Sequence, residues 1–133
     1  MERLNDIMIK KVITIDHDKT AQDAAKLMAE HEIGSLVIVT NDKPVGIVTE
    51  RDLVRNVCTK DNPSSKIPLK DVMSSPVIWA GPDVPIETAV QRMFNNKIRR
   101  LPILENGKLV GIVTVSDMAK YLRTKSLIDK TFE

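Results

Sequence analysis

Aromatic residues are nearly missing: one Trp, one Tyr and two Phe make up 3% of the 133 residues. Few rings remain for stacking on nucleic acid bases, and a core must be packed from aliphatic side chains, which the 42% hydrophobic content supplies. Cysteine occurs once, as Cys58, which excludes an intrachain disulfide or a cysteine metal cluster and fits a reducing compartment. No apolar run approaches the roughly 20 residues that span a bilayer. The opening MERLNDIM is broken by charged and polar side chains, unlike a signal peptide. The expectation is a cytoplasmic chain with no membrane partner. A dominant charge sign is also lacking: twenty basic against eighteen acidic residues leave +2, too small a surplus to point to a polyanion. His17 and His31 stand in no metal-ligand spacing, with each other or with Cys58, so they read as surface or turn residues and no metal site is expected.

What is present is a repeat. Shifted by 65 positions, residues 4–57 align with 69–122 without a gap, and 19 of the 54 pairs are identical. Met8 matches Met73, Val12-Ile13 matches Val77-Ile78, and Ala24, Met28, Ile33 and Leu36 match Ala89, Met93, Ile98 and Leu101. Each unit closes on Gly-Ile-Val-Thr-x-x-Asp. A repeat at this period organises the whole fold. The reading is repeat 1 over residues 1–60, a linker at 61–68 within the Pro-containing tract CTKDNPSSKIPLK (58–70), repeat 2 over 69–122 and a C-terminal tail at 123–133.

Each unit reads as strand, helix, strand, strand, helix, an α/β (α+β) pattern. VITI and VIWA have strand length, and Trp79 within VIWA is expected in the core. Helices are expected from about Thr20, with Asp18 or Thr20 as the cap and Ala21, Ala24, Ala25, Leu27 and Met28 on one face, and from Pro85 in the first turn, with Ile86, Ala89, Val90, Met93 and Phe94 inward. LVIV and LPIL run through TNDK and ENGK into VGIV, a hairpin signature in which Asn106-Gly107 is the stronger turn. A short helix then follows Thr49 or Thr114, with Leu53, Val54 and Val57 facing inward in the first copy. In the tail, Leu127, Ile128 and Phe132 are suited to docking on a partner subunit or to fraying. Units of about 55 residues are marginal alone, so two copies are expected to pack with approximate two-fold symmetry and to leave one cleft per unit.

Thr49-x-x-Asp52 and Thr114-x-x-Asp117 have the spacing of capping boxes, each worth about 1 kcal/mol to its helix. They also place free N–H groups and a carboxylate where an anion and the vicinal hydroxyls of a ribose can be held. A carboxylate has lone pairs for both roles. The stretch NKIRRLPIL adds Arg99 and Arg100 immediately before a strand. Alternation puts them on opposite faces, and one guanidinium is then aimed where it can meet a phosphate. The matching residues in repeat 1, Gly34 and Ser35, are neutral, so the two clefts differ electrostatically.

The in-register hairpins, GIVTxxD and NKIRRLP resemble a tandem pair of cystathionine-beta-synthase (CBS) domains, a Bateman module, over residues 4–122. NKIRRLPIL is similar to the NKIHRLPVI type of phosphate-binding segment in the gamma subunit of AMP-activated protein kinase, with Arg99 in place of His. The resemblance implies a non-catalytic regulatory module that binds AMP, ADP or ATP between the repeats and signals to an unidentified partner protein, with no required cofactor and association as a homodimer. It implies one cleft with Asp52 on the ribose, Thr49 and Arg51 near the phosphates, Val77 and Ile98 against adenine, and Arg99 and Arg100 on phosphate. It implies a second cleft with Asp117 on the ribose, Thr114 and Ser116 near phosphate, and Val12, Ile33 and Gly34 around the base. Lacking a matching Arg, that cleft is expected to bind more weakly or to take a less anionic ligand such as S-adenosylmethionine or methylthioadenosine. Three other readings compete: a ligand-free dimerisation scaffold, a nucleic-acid binder with steep salt dependence, and an enzyme. The last lacks a nucleophile-base pair, a Gly-rich phosphate loop or paired metal ligands.

Overall fold

The computed structural model describes residues 2 to 132, with side chains through Lys125. The chain forms two compact units, one continuous (Ile13–Val77) and one split (Met1–Val12 with Ile78–Glu133). These units are offset from the sequence repeats: the N-terminal segment belongs with the second repeat, and the stretch joining the repeats belongs with the first.

In the continuous unit, β1 (Thr14–Asp16) runs parallel to β2 (Ser35–Thr40), and β3 (Lys43–Thr49) pairs antiparallel to β2. A parallel pair needs a crossover, supplied by α2 (Ala21–His31), the second helix of the chain after a single turn at α1 (Leu4–Ile7) in the split unit. Thr20 caps α2: its hydroxyl accepts from the Asp23 N–H at 3.3 Å while the Asp23 carboxylate takes the Thr20 N–H at 3.0 Å. Ala21, Ala24 and Met28 share the buried face of α2 and pack with Leu36, Ile38 and Val48. The two-residue turn Asn41-Asp42 has positive φ at both positions, the type I′ geometry that matches strand twist.

The Pro-containing stretch is more than a linker. It forms 3₁₀ turns at Ser64–Lys66 and Leu69–Asp71, and Ile67, Leu69 and Val72 are buried in the continuous unit's core. Hydrogen bonds from Ala21 N–H to Ile67 O (2.8 Å) and from Leu69 N–H to Lys19 O (3.2 Å) fasten it to the start of α2. After β3, α3 (Glu50–Leu53) passes into a π-helical turn over Val54–Cys58. The wider turn alters the helical phase, so Val57 is buried while Val54, expected inward, is exposed.

The split unit repeats the hairpin as β4 (Arg100–Glu105) and β5 (Lys108–Thr114) around Asn106-Gly107, both at positive φ. VIWA forms no strand: between Pro76 and Pro82 only Ala80 bridges to Ile103. Trp79 is correspondingly half exposed rather than in the core. Helix α4 (Ile86–Asn95) starts after Pro85, which is its cap with extended ψ and not its first turn. Ile86, Ala89 and Met93 face the core, whereas Val90 and Phe94, expected there, are exposed, Phe94 at 80%. Leu4 of α1 is fully buried with Ala80, Ala89, Met93, Leu101, Ile103, Val113 and Met118. Its N–H donates to Val84 O at 3.0 Å. The last helix, α5 (Val115–Phe132), runs 18 residues through the stretch read as a tail. The side chains of Leu127, Ile128 and Phe132, expected to dock or fray, lie outside those described. No helix among the described residues is long and apolar enough to cross a membrane.

Candidate ligand site

In the split unit, a left-handed turn sets up the site. At the end of α4, Lys97 takes φ 54° and Ile98 N–H reaches back to Met93 O at 3.0 Å. This is a Schellman-type closure in which the residue after the turn packs against the helix; Ile98 does so against the split unit's core. Alternation then leaves Arg99 exposed and Arg100 half-buried at the head of β4. The ladder puts Arg100 opposite Thr114, and Val115 N–H donates to Arg99 O at 2.9 Å. The two arginines are thus tied by backbone pairing to the start of α5.

There, Thr114 N–H donates to Asp117 Oδ2 and Asp117 N–H to Thr114 Oγ1, both at 3.1 Å. Among the described residues the other carboxylate oxygen, Oδ1, receives no hydrogen bond, and Asp117 is half-buried. The helix start therefore combines a capping carboxylate with a spare acceptor and, through backbone pairing, sits beside the strand head that carries Arg99 and Arg100. Such a corner can accept hydroxyl protons at one point and hold an anionic group at another.

The continuous unit builds the same corner with different charge. Glu32 takes φ 52°, Ile33 N–H reaches Met28 O at 3.0 Å, and Glu50 N–H donates to Gly34 O at 3.0 Å. Ser35 pairs with Thr49. The box closes through Thr49 N–H to Asp52 Oδ2 (2.9 Å) and Asp52 N–H to Thr49 Oγ1 (3.1 Å). Neutral Gly34 and Ser35 stand where Arg99 and Arg100 stand in the split unit, and the basic side chain in this first turn is the exposed Arg51.

The structure regroups the expected site residues. Val12, Ile98, Arg99, Arg100, Thr114, Ser116 and Asp117 belong to the split unit; Ile33, Gly34, Thr49, Arg51, Asp52 and Val77 belong to the continuous unit. Arg99 and Arg100 are paired through the backbone ladder with the Thr114 helix start of their own unit. The capping expectation holds at both Thr-x-x-Asp motifs, and Thr20/Asp23 forms the same box. Asp23 has its pKa lowered, first by the Thr20 N–H and then by the Thr20 hydroxyl. Among the described residues no group of three or more His, Cys, Asp or Glu side chains is arranged to hold a metal.

Two small α/β units, each ending its hairpin in a capped helix start, define a duplicated domain-pair module. The family model of the CBS domain matches residues 4–58 and 69–124, and the chain belongs to the CBS domain family as a tandem pair. It is 34% identical over 119 residues to a CBS domain-containing protein, YhcV, of Bacillus subtilis, covering 90% of this chain and 84% of that one. It is 44% identical over 117 residues to an uncharacterised protein of Methanopyrus kandleri, covering 86% of this chain and spanning only 60% of the relative. The solved CBS domain pair of protein MJ0100, in complex with 5′-methylthioadenosine and S-adenosyl-L-methionine, superposes with a TM-score of 0.83 at 29% identity, covering 94% of this chain and 98% of that one.

Proposed function

We propose that this CBS pair is a regulatory module that binds an adenosine-containing ligand at the helix starts of Thr114 and Thr49, and that the split unit takes the phosphorylated form, AMP, ADP or ATP. One observation carries the reading: the register sets Arg100 against Thr114 and bonds Arg99 O to the first amide of α5, which ties the backbone of both arginines to the helix start that carries Asp117. Asp117 accepts from the ribose hydroxyls through its spare oxygen. The arginines and the Ser116 amide in the first turn of α5 hold phosphate. Asp52 does the same for a ribose in the continuous unit, where neutral Gly34 and Ser35 suit a ligand with less negative charge, such as S-adenosylmethionine or methylthioadenosine. The adenosine ligands of the MJ0100 domain pair support the ligand class. Binding shifts the population of a conformation read by a partner protein, and the pair works as a homodimer.

A second reading rests on the three capping boxes. Thr20/Asp23 makes the same reciprocal hydrogen bonds at a helix start outside the proposed sites, and in a dimerisation scaffold Asp52 and Asp117 act likewise as caps alone. A thermal-shift series with AMP, ADP, ATP, S-adenosylmethionine and NADH separates the two. A ligand at 100 times its Kd stabilises by roughly 2.7 kcal/mol, whereas a scaffold shows no rise with any of the five.

A further inference from the structure

Each hairpin's second strand carries a glycine that its backbone does not require. Among the described glycines only Gly107 has positive φ, so Gly46 and Gly111 sit where any residue's backbone could lie. What forbids a side chain is a neighbour. A Cβ on Gly111 would stand 2.5 Å from Met8 Sδ and 3.2 Å from Ile9 O; one on Gly46 would stand 2.6 Å from Met73 Sδ and 3.0 Å from Ser74 O. Both methionines lie on short straps that pair with the strand just past the glycine. Ile9 and Ile112 exchange two hydrogen bonds (2.9 and 3.0 Å), and Ile47 and Ser74 exchange two (3.1 and 2.9 Å). Two residues beyond Ile112 and Ile47 are the capping threonines Thr114 and Thr49. The straps themselves lead into Val12 and Val77. The paired methionines and glycines are identical across the repeat, so one device is built twice.

We propose that Met8 and Met73 are positioning residues whose thioethers, seated on Gly111 and Gly46, clamp each strap in register beside its helix start and thereby set ligand affinity there. The clamp explains why the glycine is needed: close approach, not turning. The affinity consequence rests on the ligand reading above; the clamp itself does not.

The test uses the full chain and two readouts, calorimetric titration with AMP and hydrogen exchange of the Ile9 and Ile112 amides. Gly111→Ala is expected to unseat Met8, speed exchange at both amides at least tenfold, and weaken AMP binding at least tenfold, while the Ile47 and Ser74 amides of the continuous unit keep their protection. Met8→Leu, close in volume, should retain wild-type exchange and affinity. The double variant Met8→Ala/Gly111→Ala should be only slightly worse than Met8→Ala alone, far short of the sum of the two, because the second change then meets only Ile9 O at 3.2 Å. Should Gly111→Ala fail to fold, Met8→Ala adds no atoms and carries the test with the same expected deprotection and loss. Unchanged exchange at Ile9 and Ile112 in Gly111→Ala, or strictly additive effects in the double variant, overturns the clamp. If wild-type protein binds no AMP, the ligand reading falls and exchange alone decides the clamp.

Discussion

Truncating Leu4 to Ala should destabilise the protein far more than its place near the chain start suggests. Leu4 is fully buried, packed with residues from Ala80 to Met118, and its backbone is bonded to Val84 O. The substitution removes about three carbons at roughly 0.8 kcal/mol each, or about 2.4 kcal/mol of transfer energy. The cavity that remains adds to this, because strands β4 and β5 cannot collapse into it without breaking their ladder, so the total falls at about 3–4 kcal/mol, within the range of Leu→Ala changes in close-packed cores. Against a whole-domain stability of about 5–15 kcal/mol, that is a large fraction. In urea, with a slope of about 2 kcal/mol/M, the midpoint should fall by roughly 1.5–2 M. Ile9→Ala, at a side chain 48% exposed, serves as the control and should cost under about 1 kcal/mol. A Leu4→Ala midpoint no lower than that of the control would mean that the N-terminal segment is not part of the split unit's core, and the division of the chain described above would be wrong.

Other consequences are as direct. The Thr20 amide and hydroxyl hold Asp23 below the usual carboxylate range, so its stabilising contribution is complete above the unfolded value near 4 and is lost as pH falls through the lowered value; in Asp23→Asn the melting temperature should fall less steeply between about pH 4 and 2. Attraction of the phenol proton by the Glu2 carboxylate pushes Tyr121 up to about 12. Being raised, it contributes stability that is whole below about pH 10 and disappears as pH climbs through the folded value. Because Tyr121 is the chain's one tyrosine, tyrosinate absorbance follows it directly, and in Glu2→Gln the titration should move towards about 10. Trp79 is 49% exposed; its fluorescence should be red-shifted and readily quenched by acrylamide, and a blue-shifted, protected emission would contradict its placement.

Local rules were the legible part of this chain. Both hairpins, both type I′ turns, the Thr20 cap and the two Thr-x-x-Asp boxes follow from short-range chemistry, and each lies where turn residues and periodicity put it. Departures came where a neighbour distant in sequence decides. Val54 turned outward because the helix widens into a π turn after Leu53. Phe94 had the right spacing for the core, but Ile86, Ala89 and Met93 already fill the buried face of α4, and a residue one position past Met93 is rotated away. Trp79 sits in a run that makes one isolated bridge, Ala80 to Ile103, in place of a ladder. Ile67 looked like linker because its tract is polar on average, yet it is buried with Leu69 and Val72 in the continuous unit's core. Correspondence between repeats was readable, whereas the joining of the N-terminal segment to the second repeat was set by packing.

The central claim is that phosphate recognition belongs to the corner of Asp117, Arg99 and Arg100. Calorimetric titration of AMP into wild-type protein, Asp117→Ala, Arg100→Ala and Asp52→Ala tests it most directly. Each of the first two substitutions removes charge-assisted hydrogen bonds worth about 1.5–3 kcal/mol, so AMP affinity should drop roughly 10- to 100-fold, while Asp52→Ala leaves the tightest AMP step within about threefold of wild type. Loss of that step in Asp52→Ala, with Asp117→Ala and Arg100→Ala binding as wild type does, would contradict the account.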